Sequence, residues 1–157
     1  CLGRLIMDNP LFIPCTPKGV IKLLDFYNIP IERKKAVVIG RSIIVGKPLF
    51  LLLLKRNATV TLCHSKTEEI EEITKSADIL CVAIGKPNFI NAKMIKSGAI
   101  VVDIGINVTD YGKVVGDVDF DSVKEKASYI TPVPGGVGPM TIATLMENTL
   151  IATKIQN

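Results

Sequence analysis

Several common signatures are missing from this chain of 157 residues. It holds no C-x-x-C pair; its four cysteines, at positions 1, 15, 63 and 81, are far apart, and His64 is the single histidine. A structural zinc site needs clustered soft ligands, so the sequence argues against a metal. Cys63 and Cys81 fall inside apolar, strand-like runs, where thiols behave as small buried hydrophobes, and the pattern reads as a reduced, intracellular protein. The longest strongly apolar run covers residues 49–54, far short of the ~20 needed to span a membrane. No segment has the order of a signal peptide, and there is no repeat, low-complexity tract or linker. A large charge excess is also lacking. The balance of 19 basic and 15 acidic side chains leaves +4, which suits a small anionic ligand and is too weak to argue for nucleic acid. The first residue is Cys1, not methionine, and the chain enters structure almost at once, so it reads as a piece of something longer.

What is present is a composition that builds a core: 48% hydrophobic and 22% charged, at a length for one domain and not two. Short β-branched runs alternate with amphipathic segments, which predicts an α/β fold: a Rossmann-type, doubly wound, mostly parallel sheet with flanking helices. Thr16-Pro17 predicts a helix with a hydroxyl N-cap and proline at its first position, ending at Asn28-Ile29-Pro30. Strands are expected at 36–39, 58–63, 78–83, 99–103 and 128–131, with a shorter one at 113–115. Between them lie a loop at 40–47 leading into an apolar helix at 49–54, a helix at 67–76 capped by Thr67, a short one at 92–96 capped by Asn91, and one at 119–126. Residues 132–139, with three prolines and three glycines, are expected to be irregular. A final helix at 140–154 carries Ile142, Leu145, Met146 and Leu150 on one stripe.

The chemistry-bearing residues cluster where these strands end. Gly40-Arg41-Ser42 through Gly46-Lys47-Pro48 joins the first strand to a helix, the arrangement in which backbone N–H groups and a positive helix end meet a pyrophosphate. It departs from G-x-G-x-x-G, because Ser42 replaces the second glycine, and a strand-to-helix turn needs glycine in any case. After the second strand stand His64, Ser65, Lys66 and Thr67, with no carboxylate before Glu68. Cofactors without a 2′-phosphate are held there by Asp or Glu, so hydroxyls and cations, with Arg41 in reach, favour NADP over NAD. His64 and Lys66 also read as ordinary solvated loop residues. Two further glycine turns, Ala83-Ile84-Gly85-Lys86-Pro87 and Asp103-Ile104-Gly105-Ile106-Asn107, sit at the next strand ends, where such sheets bind ligands. The stretch 131–141 forms a rigid, glycine-rich wall that places backbone donors against a flat ligand without side-chain bulk.

GRSIIVGKP at 40–48, TPVPGGVGPMT at 131–141 followed by Leu145-Met146-Glu147-Asn148-Thr149, and Phe12-Ile13-Pro14-Cys15-Thr16-Pro17-Lys18-Gly19 together resemble the bifunctional methylenetetrahydrofolate dehydrogenase/methenyltetrahydrofolate cyclohydrolase family. The resemblance covers essentially the whole chain. Gly3-Arg4-Leu5 looks like the family's run from its first lobe into its second. It implies oxidation of 5,10-methylenetetrahydrofolate with NADP and hydrolysis of the product to 10-formyltetrahydrofolate. Carried over, the cofactor contacts are Gly40, Arg41, Ser42, His64, Ser65, Ile84, Gly85, Ile106 and Thr141, while Pro134, Gly135, Gly136 and Val137 line the cleft by the nicotinamide and folate.

The resemblance also implies a division: residues 1–15 as connector from an N-terminal catalytic lobe, 16–139 as the NADP-binding domain, and 140–157 as a helix returning to that lobe. The family's catalytic lysine, in a Tyr-x-x-x-Lys arrangement, belongs to the absent lobe; here Tyr27 is followed by Ile31 and Tyr111 by Val115. No residue of this chain is therefore expected to be catalytic, and the chain alone is expected to be inactive. A folate substrate, a homodimer in the full-length protein and a cytoplasmic location, with an organelle as alternative, complete what is implied. Two other readings stay open: another two-lobed NADP dehydrogenase with a different small substrate, and a nucleotide-binding module without catalysis.

Overall fold

The structure, a computed structural model, describes residues 2–156; Cys1 and Asn157 lie outside them, and with them that part of the cysteine reading and of the terminal segments. A short helix α1 (Leu2–Ile6), not foreseen in the sequence, precedes helix α2 (Cys15–Phe26). The alternating part follows: β1 (Lys35–Ile39), α3 (Gly46–Lys55), β2 (Thr59–Cys63), α4 (Ile70–Lys75), β3 (Ile79–Val82), a 3₁₀ turn (Ala92–Met94) and β4 (Ile100–Asp103). Next come a small hairpin of β5 (Asn107–Val108) and β6 (Val114–Val115), helix α5 (Phe120–Val123), β7 (Tyr129–Ile130) and the long helix α6 (Val137–Gln156). The first strand of the hairpin was also not foreseen.

Five strands form one parallel sheet in the order β2-β1-β3-β4-β7. The chain leaves β1 toward one edge and returns on the other side as β3, so the topological switch lies between those two strands. Crevices in such sheets open above that point. Both faces are covered, which explains why β3 is buried at all four positions and reads as an unbroken apolar run. One face packs Val38, Leu49, Leu53, Ile79 and Cys81 with residues of α2. The other packs Val37, Ile39, Leu80, Val82 and Met94. Cys63 and Cys81 are fully buried free thiols, and burial pushes Cys81 up to about 12.

Three helices start earlier than the sequence suggests, for one reason. Pro17 was expected at the first position of its helix, and Pro48 and Pro139 just before theirs, yet each occupies the third residue, of α2, α3 and α6 respectively. The first four N–H groups of a helix have no partner inside it, so a proline this far in removes no hydrogen bond. The first helical bond comes from the residue that follows: Lys18 N–H donates to Pro14 C=O at 3.1 Å, and Leu49 N–H to Val45 C=O at 2.9 Å. Thr16 consequently caps nothing, the expected loop 40–47 ends at Val45, and the wall at 132–139 is helical from Val137 onward.

Thr67 does not cap α4 either. Its hydroxyl accepts from the His64 N–H at 2.9 Å and closes the turn after β2, and α4 begins only after Glu69 at φ 51°. Asn91 caps as expected, its side chain accepting from Lys93 N–H; Asp119, expected as the first residue of a helix to 126, instead caps a shorter one that ends at Val123, accepting from Ser122 N–H.

Leu53 and Leu80 are buried on opposite faces of the sheet. Leu53→Ala and Leu80→Ala are each expected to lower unfolding free energy by ~2–5 kcal/mol, and the double variant by their sum within ~0.5 kcal/mol because the sites share no cavity. Urea denaturation of the set checks this.

Candidate cofactor site and cleft

Strands β1, β2, β3, β4 and β7 all release their chains at the same edge, and their turns enclose two neighbouring hollows. The first, about 260 Å³, is lined by Gly40, Arg41, His64, Ser65, Ile84 and Lys86 over an apolar floor of Ile39, Ile70 and Phe89. The second, about 190 Å³, lies between the Asp103–Ile106 turn and the wall from Pro132 to Pro139, so it brings Ile106 and Pro134, Gly135, Gly136 and Val137 together. Val133-Pro134 in that wall is a cis peptide. A larger hollow of about 430 Å³ shares Pro132, Gly135, Gly136 and Pro139 of that wall and extends under Leu23, Tyr27, Tyr129 and Met140, and no charged residue lines it.

The first turn is built by close backbone approach. Gly40 has φ 116°, and a Cβ there would strike the Ala83 carbonyl; a Cβ on Gly46 would strike the Gly40 carbonyl. Only glycine admits that contact, so these two positions fix how the turn folds against β3. Ser42 Oγ accepts from the N–H groups of Val45 at 3.1 Å and Gly46 at 3.3 Å, satisfying free donors at the start of α3 and leaving its own O–H to donate. Beside it, Lys66 N–H donates to His64 Nδ1 at 3.1 Å, so in the neutral ring the proton sits on Nε2.

Two buried carboxylates hold the remaining turns: Asp103, which opens one of the glycine turns marked in the sequence, and Asp117, which no motif included. Asp117 is fully buried; its Oδ2 accepts from Ile84 N–H at 2.7 Å and Gly85 N–H at 3.0 Å, and its Oδ1 from Lys86 N–H and Asn107 Nδ2, both at 2.9 Å. Asp103 is 3% exposed and accepts from the N–H groups of Gly105, Asp117 and Val118 at 2.9–3.0 Å. Burial pushes the Asp103 carboxyl above its usual value; those peptide N–H groups pull the other way, and the charge of Asp117 adds to the rise. The one sequence signal for Asp117 is an acid set directly among Val115, Gly116 and Val118.

This geometry, glycine turns at the carboxyl edge of a parallel sheet facing a proline-glycine wall, is matched by a family model. The model, described as tetrahydrofolate dehydrogenase/cyclohydrolase, NAD(P)-binding domain, covers residues 14–157. The chain belongs to that family.

Among its relatives, the Bifunctional protein FolD of Thermodesulfovibrio yellowstonii is 75% identical over 156 residues, which are 99% of this chain and 54% of that protein. The crystal structure of the bifunctional FolD methylenetetrahydrofolate dehydrogenase/cyclohydrolase from Campylobacter jejuni superimposes with a TM-score of 0.96 at 52% identity, over 99% of this chain and 55% of that one. The Trypanosoma brucei FolD, solved with NADP cofactor and inhibitor, superimposes with a TM-score of 0.92 at 41% identity, over 99% and 56%. The chain thus spans about half the length of the curated relatives it matches.

Within this NAD(P)-binding domain, Gly40, Arg41, His64, Ser65 and Ile84 line the first hollow, while Ser42 braces its turn and Gly85 stands in its β3 turn, held by Asp117. Thr141 faces another way: its hydroxyl meets Thr16 Oγ1 at 3.0 Å and the Val137 carbonyl at 3.2 Å, at the contact of α6 with α2. Lys66 lines neither hollow.

Asp117→Ala removes the shared acceptor of three successive peptide N–H groups. It is expected to destabilise the domain by about 3 kcal/mol, since each donor left without a partner costs ~1–3 kcal/mol and partial solvation offsets part of the sum. Hydrogen exchange should accelerate most at Ile84, Gly85 and Lys86, and unchanged exchange there would refute the anchoring role.

Proposed function

We propose that this chain is the NADP-binding half of a two-lobed enzyme. That enzyme oxidises 5,10-methylenetetrahydrofolate to the 5,10-methenyl form and hydrolyses it to 10-formyltetrahydrofolate. The observation that carries the choice of cofactor is the rim of the first hollow. Arg41, His64, Ser65 and Lys86 line it, and no Asp or Glu does. A ribose with a free 2′-hydroxyl is held by a carboxylate at the end of the second strand; a 2′-phosphate is held by cations and hydroxyls. The residues therefore fit NADP: a glycine turn against which a pyrophosphate can lie, an apolar floor for the purine, and an acid-free rim for the phosphate.

When bound, NADP supplies the acceptor for the substrate's hydride. The residues of this chain supply position. Ile106 and the wall from Pro134 to Val137 bound the second hollow with backbone and small apolar surface, so two flat rings can be stacked there while water is kept out. General acid–base chemistry is a different matter. Asp103 is the one titratable residue lining that hollow, and both of its oxygens already accept peptide N–H bonds. A proton-transfer group must come from the other lobe.

Helix α6 supports such a partner. Its polar side faces α2: Asn148 Oδ1 accepts from Lys18 Nζ at 3.1 Å, and Glu147 pairs with Lys18 at 3.0 Å and Lys22 at 2.7 Å. Its apolar side, Ile142, Leu145, Met146 and Leu150, is 53–66% exposed. A helix packed this way round leaves its hydrophobic stripe for another body. We read that body as the N-terminal catalytic lobe, within a cytoplasmic homodimer whose substrate is folate.

Calorimetric titration with NADP and NAD tests the cofactor assignment. Arg41→Ala is expected to weaken NADP by ~1.5–3 kcal/mol, the worth of a hydrogen bond to a charged group, and to leave NAD nearly unchanged; equal losses would refute it. The chain alone is expected to show no turnover of methylenetetrahydrofolate in a spectrophotometric assay. Its light-scattering mass is expected to rise with concentration through the open stripe on α6, and a constant monomer mass would count against that.

A further inference from the structure

Lys86 belongs to the glycine turn at 83–87, where only the glycine drew a role, and it lines the first hollow together with Arg41, His64 and Ser65. Its backbone is held: the N–H is bound to Asp117 Oδ1 at 2.9 Å, the two residues before it share the same carboxylate, and Pro87 follows. Its side chain is exposed, with Nζ 5.7 Å from the centroid of the Phe89 ring, which also lines the hollow. Among the described residues eight ion pairs engage Lys18, Lys22, Lys55, Lys75, Lys96 and Lys124 along with Arg33 and Arg56, and none engages Lys86 or Arg41. Two cations therefore share the lining of a hollow without an acid.

We propose that Lys86 is a second specificity-determining cation for the cofactor, reaching from the β3 turn to the same 2′-phosphate that Arg41 meets from the β1 turn. The proposal rests on the reading of the first hollow as the adenosine site. The fixed backbone sets where the stem starts, and the ammonium, over the Phe89 ring, leaves that ring to close over the phosphate once the purine lies on the apolar floor. Arg41 alone would hold the phosphate from one side. With Lys86 the dianion is met from two strands, and the NADP preference is divided between two residues on different turns.

The test is titration of the protein with NADP, NAD, 2′,5′-ADP, 5′-AMP and 5′-ADP. Lys86→Met keeps an unbranched side chain of similar length and removes the charge; Lys86→Arg keeps the charge. Lys86→Met is expected to weaken NADP and 2′,5′-ADP roughly five- to tenfold, as for a partly solvated charge-assisted contact, while NAD, 5′-AMP and 5′-ADP stay within about twofold. Lys86→Arg is expected to bind NADP as the parent does. Equal losses on NADP and NAD, or a loss on 5′-ADP, would assign the ammonium to the pyrophosphate or the purine and overturn the proposal. So would unchanged NADP affinity in Lys86→Met alongside a selective loss in Arg41→Ala, a result that leaves the cofactor reading intact. If the unsubstituted protein fails to bind NADP, or if Arg41→Ala shows no selectivity, both fall together.

Discussion

The carboxylate of Asp117 is the point on which the ligand edge of this domain depends. Parallel strands deliver their turns to one edge, but nothing in sheet hydrogen bonding fixes what those turns do afterwards. Asp117 accepts three consecutive peptide N–H groups from the turn after β3 and the Asn107 amide from the turn after β4. Asp103, at the end of β4, holds Asp117 in turn through its backbone N–H. Two turns, the β5–β6 hairpin and the last residue of a central strand are thereby tied in one network. Charge-assisted bonds in a buried setting are strong and leave little freedom, which is what a surface meant to meet a flat ligand requires.

That arrangement consumes negative charge in the interior and leaves the rim positive. Asp103 and Asp117 face peptide N–H groups from beneath the turns, and no acid lines the first hollow above them. An acid at the end of β2 would reverse the preference between the two nicotinamide cofactors without altering the fold. On the proposed reading, fold and cofactor choice are set by different residues: Gly40, Gly46 and the two aspartates shape the turns, and Arg41, Ser65 and Lys86 would decide what charge the shaped hollow accepts.

The sheet was legible in the sequence because burial on both faces writes strands as short apolar runs; residues 36–39 and 78–83 could hardly be read otherwise. The first hollow was legible too, since it is made of residues that follow those runs directly. Helix starts were not, because proline is compatible with any of the first helical positions and gives no means of choosing among them. Thr16 and Thr67 have the chemistry of N-caps, but other partners hold their hydroxyls: Thr141 across the α2–α6 contact and, within its own turn, the His64 N–H. Asp117 went unseen because its partners are peptide N–H groups 31–33 residues away in sequence, and backbone donors have no signature in a sequence. Lys86 stood in a turn marked for its glycine, and its charge acquires meaning only from the hollow around it.

Helix α6 shows why composition alone would mislead about where the core lies. Ile142, Leu145, Met146 and Leu150 form the kind of stripe that ordinarily seeks a domain interior, yet they face outward, and Thr144, Glu147 and Asn148 are turned toward α2. Polar contacts are a poor source of stability on their own, because each hydrogen bond formed replaces one with water. They are a good source of registration, since Asn148 reaches the Ile13 carbonyl at 3.0 Å only at one rotation of the helix. The polar side of α6 therefore sets its orientation, and that orientation presents the apolar side outward as a continuous surface next to the wall that begins the helix. A lobe seated on that surface would lie beside the second hollow, where this chain offers shape and no free acid or base. The side of α6 left uncovered and the chemistry left unsupplied point to the same place.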